Sequence, residues 1–400
     1  MKFNFYIIII KTKKLCIVKD IITILSFLIC LILNSKIIKR KSEEEEIKNI
    51  ELYLKLCSMP FSKGFKYFNK RKFPKVSIIS PVYNRGKYLS RFLKSIYYQN
   101  FRDIEIILID DFSSDDSVML IKQFQNKDKR IILIKNNKNY GTFKSRNIGI
   151  LMSSGKYVII PDPDDILSQD SLKTLYSFAN KYNYEMLRFN LYVGYKMIML
   201  SYAINIIESR PIFQPELKTY LYYAMGRLRL VDFNISNKFI KREALIRALN
   251  LLGKDYLNIY MTTYEDQLLN FILYRTAKSF YLFKKIGYYY IINRHSITQA
   301  GFQLIDIKNI FIHLKIIFEF SKNNVFEKNM FNFHFTFFVK RKSVISHLNL
   351  IKNESKFFIE YIDLFIKSDL ISVNNKAYMI KMKKKLLKFN SKKNRSISDL

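Results

Sequence analysis

Carboxylates are the chemical resource of this chain. Asp110, Asp111 and Asp115 fall in one short stretch, Asp162, Asp164 and Asp165 in another, and Glu265-Asp266 stand side by side further on. Carboxylates packed as closely as Asp162–Asp165 repel one another unless a cation neutralises them, so this cluster is a candidate metal site. Taken alone, an Asp-x-Asp also suits a solvated turn. Hard oxygen ligands select Mg2+ or Mn2+, ions that usually share their shell with substrate phosphates. Other chemistries are poorly supplied. Cys16, Cys30 and Cys57 all precede the main body, which excludes a disulfide-stapled scaffold, a cysteine zinc site and a thiol nucleophile there. His295, His313, His334 and His347 are scattered, with no pair at helix-face spacing for a zinc cage.

The elements that must position these acids alternate. Val76–Ser80 is a short apolar run stopped by Pro81, as expected of a buried parallel strand. Lys87–Gln99 carries Leu89, Phe92, Leu93, Ile96 and Tyr97 at helical spacing. Ile104–Ile109 is a second strand ending in Asp110-Asp111. A helix over Ser117–Gln125 follows, with Asp115 or Asp116 placed to cap it. Arg130–Ile134 and Tyr157–Ile160 read as strands, Thr142–Met152 as a helix and Glu265–Tyr274 as another. The series predicts an α/β fold: a doubly wound, mostly parallel sheet flanked by helices. Such sheets bind ligands beyond the carboxyl ends of their strands, where two of the three acidic clusters fall.

The ends are less regular. The uncharged run Ile21–Leu33 makes about 20 Å of helix, short of the roughly 30 Å hydrocarbon core. Lysines flank it on both sides, so it reads as a membrane anchor, a cleaved signal segment or a soluble amphipathic extension. Residues 42–74 read as a stem, opening on a solvated, charged helix after Glu43–Glu46. Residues 307–388 are periodic and basic, a helical C-terminal extension ending in the Lys-rich tail Lys381–Arg395. That tail reads as a solvated end, with anionic lipid headgroups as an alternative contact. The expected organisation is 1–41 anchor or signal, 42–74 stem, 75–300 main domain and 301–400 basic helical region.

Several motifs occur in the order found in family 2 glycosyltransferases of the GT-A, nucleotide-sugar-binding type, and residues 76–300 resemble that family. Val76–Asn84 is similar to its first strand and nucleotide-facing loop. Asp110-Asp111-Phe112-Ser113-Ser114-Asp115 looks like its Asp-Asp-x-Ser-x-Asp loop, with Phe112 where Gly is common. Asn139-Tyr140-Gly141, Ser145-Arg146-Asn147-Ile148-Gly149 and Ser154-Gly155 match the stretch leading to the metal strand. Asp162-Pro163-Asp164-Asp165 sits where the family carries its Asp-x-Asp. Asn237-Lys238 and Tyr264-Glu265-Asp266 also have counterparts.

The resemblance implies the roles. Asp111 would read the base, with Pro81 and Tyr83 lining the same pocket. Asp162 and Asp164 would hold Mn2+ or Mg2+ on the diphosphate. Asp165 would orient the site or touch the donor sugar, and Arg146 would contact the donor or lie on the surface. Asp266, beside Glu265, would be the general base. A C-terminal segment would bring His295 to the metal or Arg294 to a phosphate. Residues 75–185 would form the nucleotide-sugar half and 186–300 the acceptor half.

The implied activity is inverting, metal-dependent transfer of a hexosyl or N-acetylhexosaminyl group. The donor would be a nucleoside-diphosphate sugar, UDP-linked by preference, and the acceptor a hydroxyl on a glycan, lipid or protein. The implied setting is membrane-anchored in a secretory pathway, with a soluble cytoplasmic form as the alternative. The competing readings are a catalytically inactive binding protein of the same fold and a basic nucleic-acid binder. The net charge of +35, from 68 Lys+Arg against 33 Asp+Glu, would favour nucleic acid. No nucleic-acid recognition motif accompanies it, and the abundance of Lys, Asn, Ile, Phe and Tyr beside scarce Gly fits A/T-rich codon usage equally well.

Overall fold

The computed structural model describes residues 51–58, 69, 72–195, 198–202, 210–213, 234–292, 303–320, 331–332, 334–336, 339, 355–369 and 371–398. The 1–41 segment, Arg294 and His295 lie outside the described residues. Among the described residues no helix is long and apolar enough to cross a membrane.

Four consecutive parallel strands form one wing of the sheet. β1 (Val76–Val82) pairs with β2 (Ile104–Asp110) and β4 (Tyr157–Ile159), and β2 pairs with β3 (Ile131–Lys135). All seven residues of β1 and of β2 are buried, which explains their mostly apolar sequences. β1 runs two residues past Ser80, through Pro81 to Val82. The pairing with β4 covers only Val76–Ile78, so Pro81 lies on a locally open edge where a missing N–H costs no ladder bond.

The helices α1 (Gly86–Tyr97), α2 (Ser117–Lys127) and α3 (Thr142–Met152) are the crossovers between these strands. Asp116 stands at the cap position of α2 without a side-chain cap bond, while Asp115 before it accepts the Ser117 N–H on Oδ1 at 3.0 Å. Asp115 Oδ2 accepts from the Gly86 N–H at 2.9 Å, which locks the starts of α1 and α2 together.

The second wing breaks the parallel pattern. β5 (Ile166–Leu167) follows the Asp162–Asp165 cluster, and α4 (Ser171–Tyr182) leads to β6 (Met186–Tyr195), β7 (Ile198–Tyr202) and β8 (Arg210–Phe213). β9 (Lys238–Lys241) lies antiparallel between β4 and β6. The helices α5 (Arg242–Leu252), α6 (Lys254–Leu257) and α7 (Glu265–Thr276) follow, and then the long β10 (Ser279–Ile292). β10 pairs in parallel with β6 and antiparallel with β5 and β8. Among the described residues the sheet has ten strands, ordered β3-β2-β1-β4-β9-β6-β10-β5, with β7 on β6 and β8 on β10.

Two expectations change. The helical residues 51–58 are not a wholly solvated stem: Tyr53, Leu54 and Cys57 are buried with Ile166, Tyr289 and Ile291. Tyr53 also donates its hydroxyl to the Ser95 carbonyl at 2.9 Å. The basic C-terminal region is not an appendage either. The helices α8 (Leu304–Phe320), α9 (Ser355–Ile366) and α10 (Val373–Ser398) share one apolar core with α5 and α7. In the Lys-rich tail, Met382 and Leu386 are buried in that core while the intervening lysines lie outside it.

Candidate active site

The acids meet at the carboxyl ends of β1, β2 and β4. Asp111 directly follows β2, and its N–H donates to the Val82 carbonyl at 2.8 Å. Its carboxylate is 3 % exposed and accepts from three donors: the Asn136 amide at 2.8 Å, the Tyr140 N–H at 2.8 Å and the Gly141 N–H at 2.8 Å. A carboxylate offers about four lone-pair sites, so one remains for a ligand. Gly141 has φ of 83°, in the left-handed region that glycine occupies without strain. Tyr83 stands exposed beside Asp111, and Pro81 lies within β1 below it. Phe112, where the family pattern has glycine, has φ of 69°, so the backbone here keeps the glycine-like conformation.

The Asp162–Asp165 loop is braced from β10. The Asp162 N–H donates to the Tyr288 hydroxyl at 3.0 Å, and that hydroxyl donates to Asp165 Oδ2 at 2.7 Å. Asp165 Oδ1 accepts from the Ile291 N–H at 2.8 Å. Asp165 is buried, and desolvation with the neighbouring Asp164 and Asp162 charges pushes its carboxyl well above the usual range. Asp164 carries an ion pair to Arg85 at 3.7 Å, and its carbonyl accepts from Arg91 at 2.6 Å.

Arg146 joins the three parts of the site. It is 2 % exposed, so it is not a surface arginine. Nη2 donates to Asp162 Oδ1 at 3.0 Å, and Nη1 donates to Glu265 Oε1 at 3.1 Å and to Asp266 Oδ1. This guanidinium thus ties the Asp162 loop to the Glu265-Asp266 pair. Three carboxylates around one guanidinium leave a net negative pocket. Burial pushes the Asp162 carboxyl up to about 6 against the Arg146 charge, with Asp266 and Asp164 adding to the rise. Burial likewise pushes Glu265 up to about 7 against Arg146, with Asp266 adding to it.

Glu265 and Asp266 open α7 immediately after Tyr264, whose φ is 67°. An acidic first turn also suits the helix dipole. The second Asp266 oxygen accepts from the Ile235 N–H at 3.3 Å, from the segment entering β9.

Among the described residues no group of three His, Cys, Asp or Glu could enclose a metal. Asp162 and Asp164 instead offer two partly exposed hard-oxygen side chains, 30 % and 14 % accessible, at the mouth of the site. That donor set fits a Mg2+ or Mn2+ ion completed by substrate phosphates, not an all-protein cage.

Sequence reasoning assigned no role to Tyr288, Arg85 or Arg91. Tyr288 sits in an undistinguished run of three tyrosines, and only the β10–β5 pairing brings it to the loop. Arg85 adjoins the first-strand motif and was the one with a local signal.

The geometry has counterparts in known proteins. Residues 77–248 match the model for Glycosyl transferase family 2. An uncharacterized glycosyltransferase of Haemophilus influenzae is 32 % identical over 185 residues, 46 % of this chain and 69 % of that relative. Glycosyltransferase GlyG of Streptococcus pneumoniae is 34 % identical over 148 residues, 34 % of this chain and 49 % of that relative. The chain thus spans about half the length of the latter. Among solved structures, S. aureus TarS 1-349 in complex with UDP-GlcNAc aligns with a TM-score of 0.57 at 18 % identity. The alignment covers 78 % of this chain and 89 % of that one, and it shows a shared fold. With the strand-end acids in this arrangement and more than two thirds of a relative matched, the chain belongs to glycosyl transferase family 2.

Proposed function

We propose that the protein transfers a sugar from a nucleoside-diphosphate donor, a UDP-sugar first, to a hydroxyl of a glycan or lipid acceptor, with inversion. The observation that carries this reading is Arg146, which holds the Asp162 loop and the Glu265-Asp266 pair on one buried guanidinium. A donor-side acid and an acceptor-side base are thereby kept in fixed relation. The UDP-GlcNAc bound by S. aureus TarS supports UDP as the first nucleotide to test.

Asp266 takes the proton of the acceptor hydroxyl as its oxygen attacks the anomeric carbon. The new C–O bond forms as the bond from that carbon to the diphosphate oxygen breaks, so one displacement inverts the centre. Arg146 and the Ile235 N–H hold the Asp266 carboxylate in place for that proton. Asp162 and Asp164 are the residues that would hold Mg2+ or Mn2+, which when bound would neutralise charge on the leaving diphosphate. Asp165 and Tyr288 keep that loop from moving. Residues 75–185 form the donor half in this reading, and 186–300 the acceptor half.

The test is a thermal-shift screen of nucleoside-diphosphate sugars with Mn2+ and Mg2+, followed by an assay of nucleoside-diphosphate release from the donor that binds. Asp266→Asn should lower turnover by about 10²–10⁴-fold, the usual size of a lost general base, while leaving donor binding nearly intact. Full turnover in that variant would sink the base assignment.

A further inference from the structure

Two large aromatic side chains stand exposed around Asp111 and come from distant parts of the chain. Tyr83, just after β1, is 47 % exposed, and Tyr260, in the loop between α6 and α7, is 46 % exposed. The Tyr260 backbone is held by its neighbour. Met261 is fully buried, and its carbonyl accepts from the Phe143 N–H at 3.0 Å, at the start of α3. This loop lies so near Gly141 that a Cβ there would sit 3.0 Å from the Met261 oxygen and 3.3 Å from Tyr260 Cδ2. Gly141 is the residue whose N–H donates to Asp111 Oδ2 at 2.8 Å. The Tyr260 ring therefore borders the glycine that holds the Asp111 carboxylate. Burial, and after it the nearby Asp111 and Tyr83 groups, raise the Tyr260 hydroxyl above its ordinary range, so the three share one electrostatic environment.

A flat heteroaromatic base needs an edge-reading acceptor and ring faces to stack on. Asp111 supplies the first, and exposed rings next to it supply the second. We infer that Tyr260 forms an aromatic wall of the nucleobase pocket and stacks on the base of a nucleoside diphosphate that Asp111 reads at its edge. The inference rests on the glycosyl-transfer reading for the nature of the ligand and adds a base-stacking residue to it. Tyr260 also lies on the short segment that runs into Glu265 and Asp266.

The experiment is isothermal calorimetry on the full-length chain with Mn2+. It titrates UDP, CDP, ADP, GDP and inorganic pyrophosphate into wild type, Tyr260→Ala, Tyr260→Leu and Tyr260→Phe. For the nucleotide that wild type binds best, Tyr260→Ala and Tyr260→Leu should bind about tenfold more weakly, the size expected of one lost base–ring stack. Pyrophosphate binding should stay within about twofold of wild type, because it presents no base to stack. Tyr260→Phe keeps the ring and should bind like wild type. Tyr260→Leu keeps side-chain bulk, so it decides the matter should Tyr260→Ala fold poorly. Unchanged nucleotide binding in Tyr260→Leu, or an equal loss for pyrophosphate, overturns this inference and leaves the glycosyl-transfer reading standing. Wild type binding none of the four nucleotides overturns that reading and this inference together.

Discussion

Arg146 and Glu265 carry the electrostatics of the site. One guanidinium faces Asp162, Glu265 and Asp266, so the acids outnumber the cation and one of them is driven toward its neutral form. Glu265, 10 % exposed at its side chain, has its carboxyl pushed from 4.5 up to about 7. The folded chain then keeps a proton that the unfolded chain releases above about pH 4.5. Stability from this group is complete below that value and is lost as the pH rises through about 7. The wild-type melting temperature should therefore fall across that window, and Glu265→Gln, neutral throughout, should show a flatter profile by calorimetry. Parallel profiles would show that Glu265 is not the group responsible. At this scale the sequence was legible where a residue type states its chemistry: the strand-end acids were identified from identity and spacing. The burial of Arg146 among acids is set by residues up to 120 positions away, which no local pattern encodes.

The helix α3 decides whether Arg146 reaches those acids. Gly149, one turn after Arg146, faces the sheet so closely that a Cβ would lie 2.3 Å from Ile79 Cγ2 and 2.8 Å from Ile109 Cδ1. A methyl group there must push α3 off β1 and β2. Gly149→Ala should destabilise by about 1–3 kcal/mol, partly offset by alanine's better helix propensity. Donor turnover should fall further than the stability loss explains, since the guanidinium moves with its helix. Urea unfolding together with a turnover assay measures both, and a stable, fully active variant would show that α3 has room to spare. The parallel strands and crossover helices were legible because period and burial coincide within a few residues. The β10–β5 pairing that brings Tyr288 to Asp165 was not, because strand pairing depends on partners far apart in sequence.

The C-terminal helices are structural partners of the site at the scale of the whole molecule. Ile307, Ile310, Phe311 and Leu314 of α8 share a core with Leu268, Phe271 and Ile272 of α7, the helix that starts with Glu265-Asp266. Asn309 adds a hydrogen bond from its amide to Thr263 Oγ1 at 2.9 Å, just before that helix. Removing residues 303–398 should bare this apolar face and give aggregated, inactive protein, as size-exclusion chromatography and a donor-turnover assay would report. A soluble, active truncation would mean that the region is separable after all. The basic surplus takes a second place: the acids of the site stand at two strand ends and one helix start and pair with arginines, while the tail lysines flank a buried stripe. The sequence by itself determined the α/β series, the acidic loops after β2 and β4, and the family, because those follow from local periodicity and from residue identity in order. Only the tertiary structure decided that Arg146 is buried between the two acidic loops, that Tyr288 braces the Asp162–Asp165 loop, and that the C-terminal helices share the core of α7. Each of these depends on which distant side chains pack together, and packing is a property of the folded chain, not of any short window of its sequence.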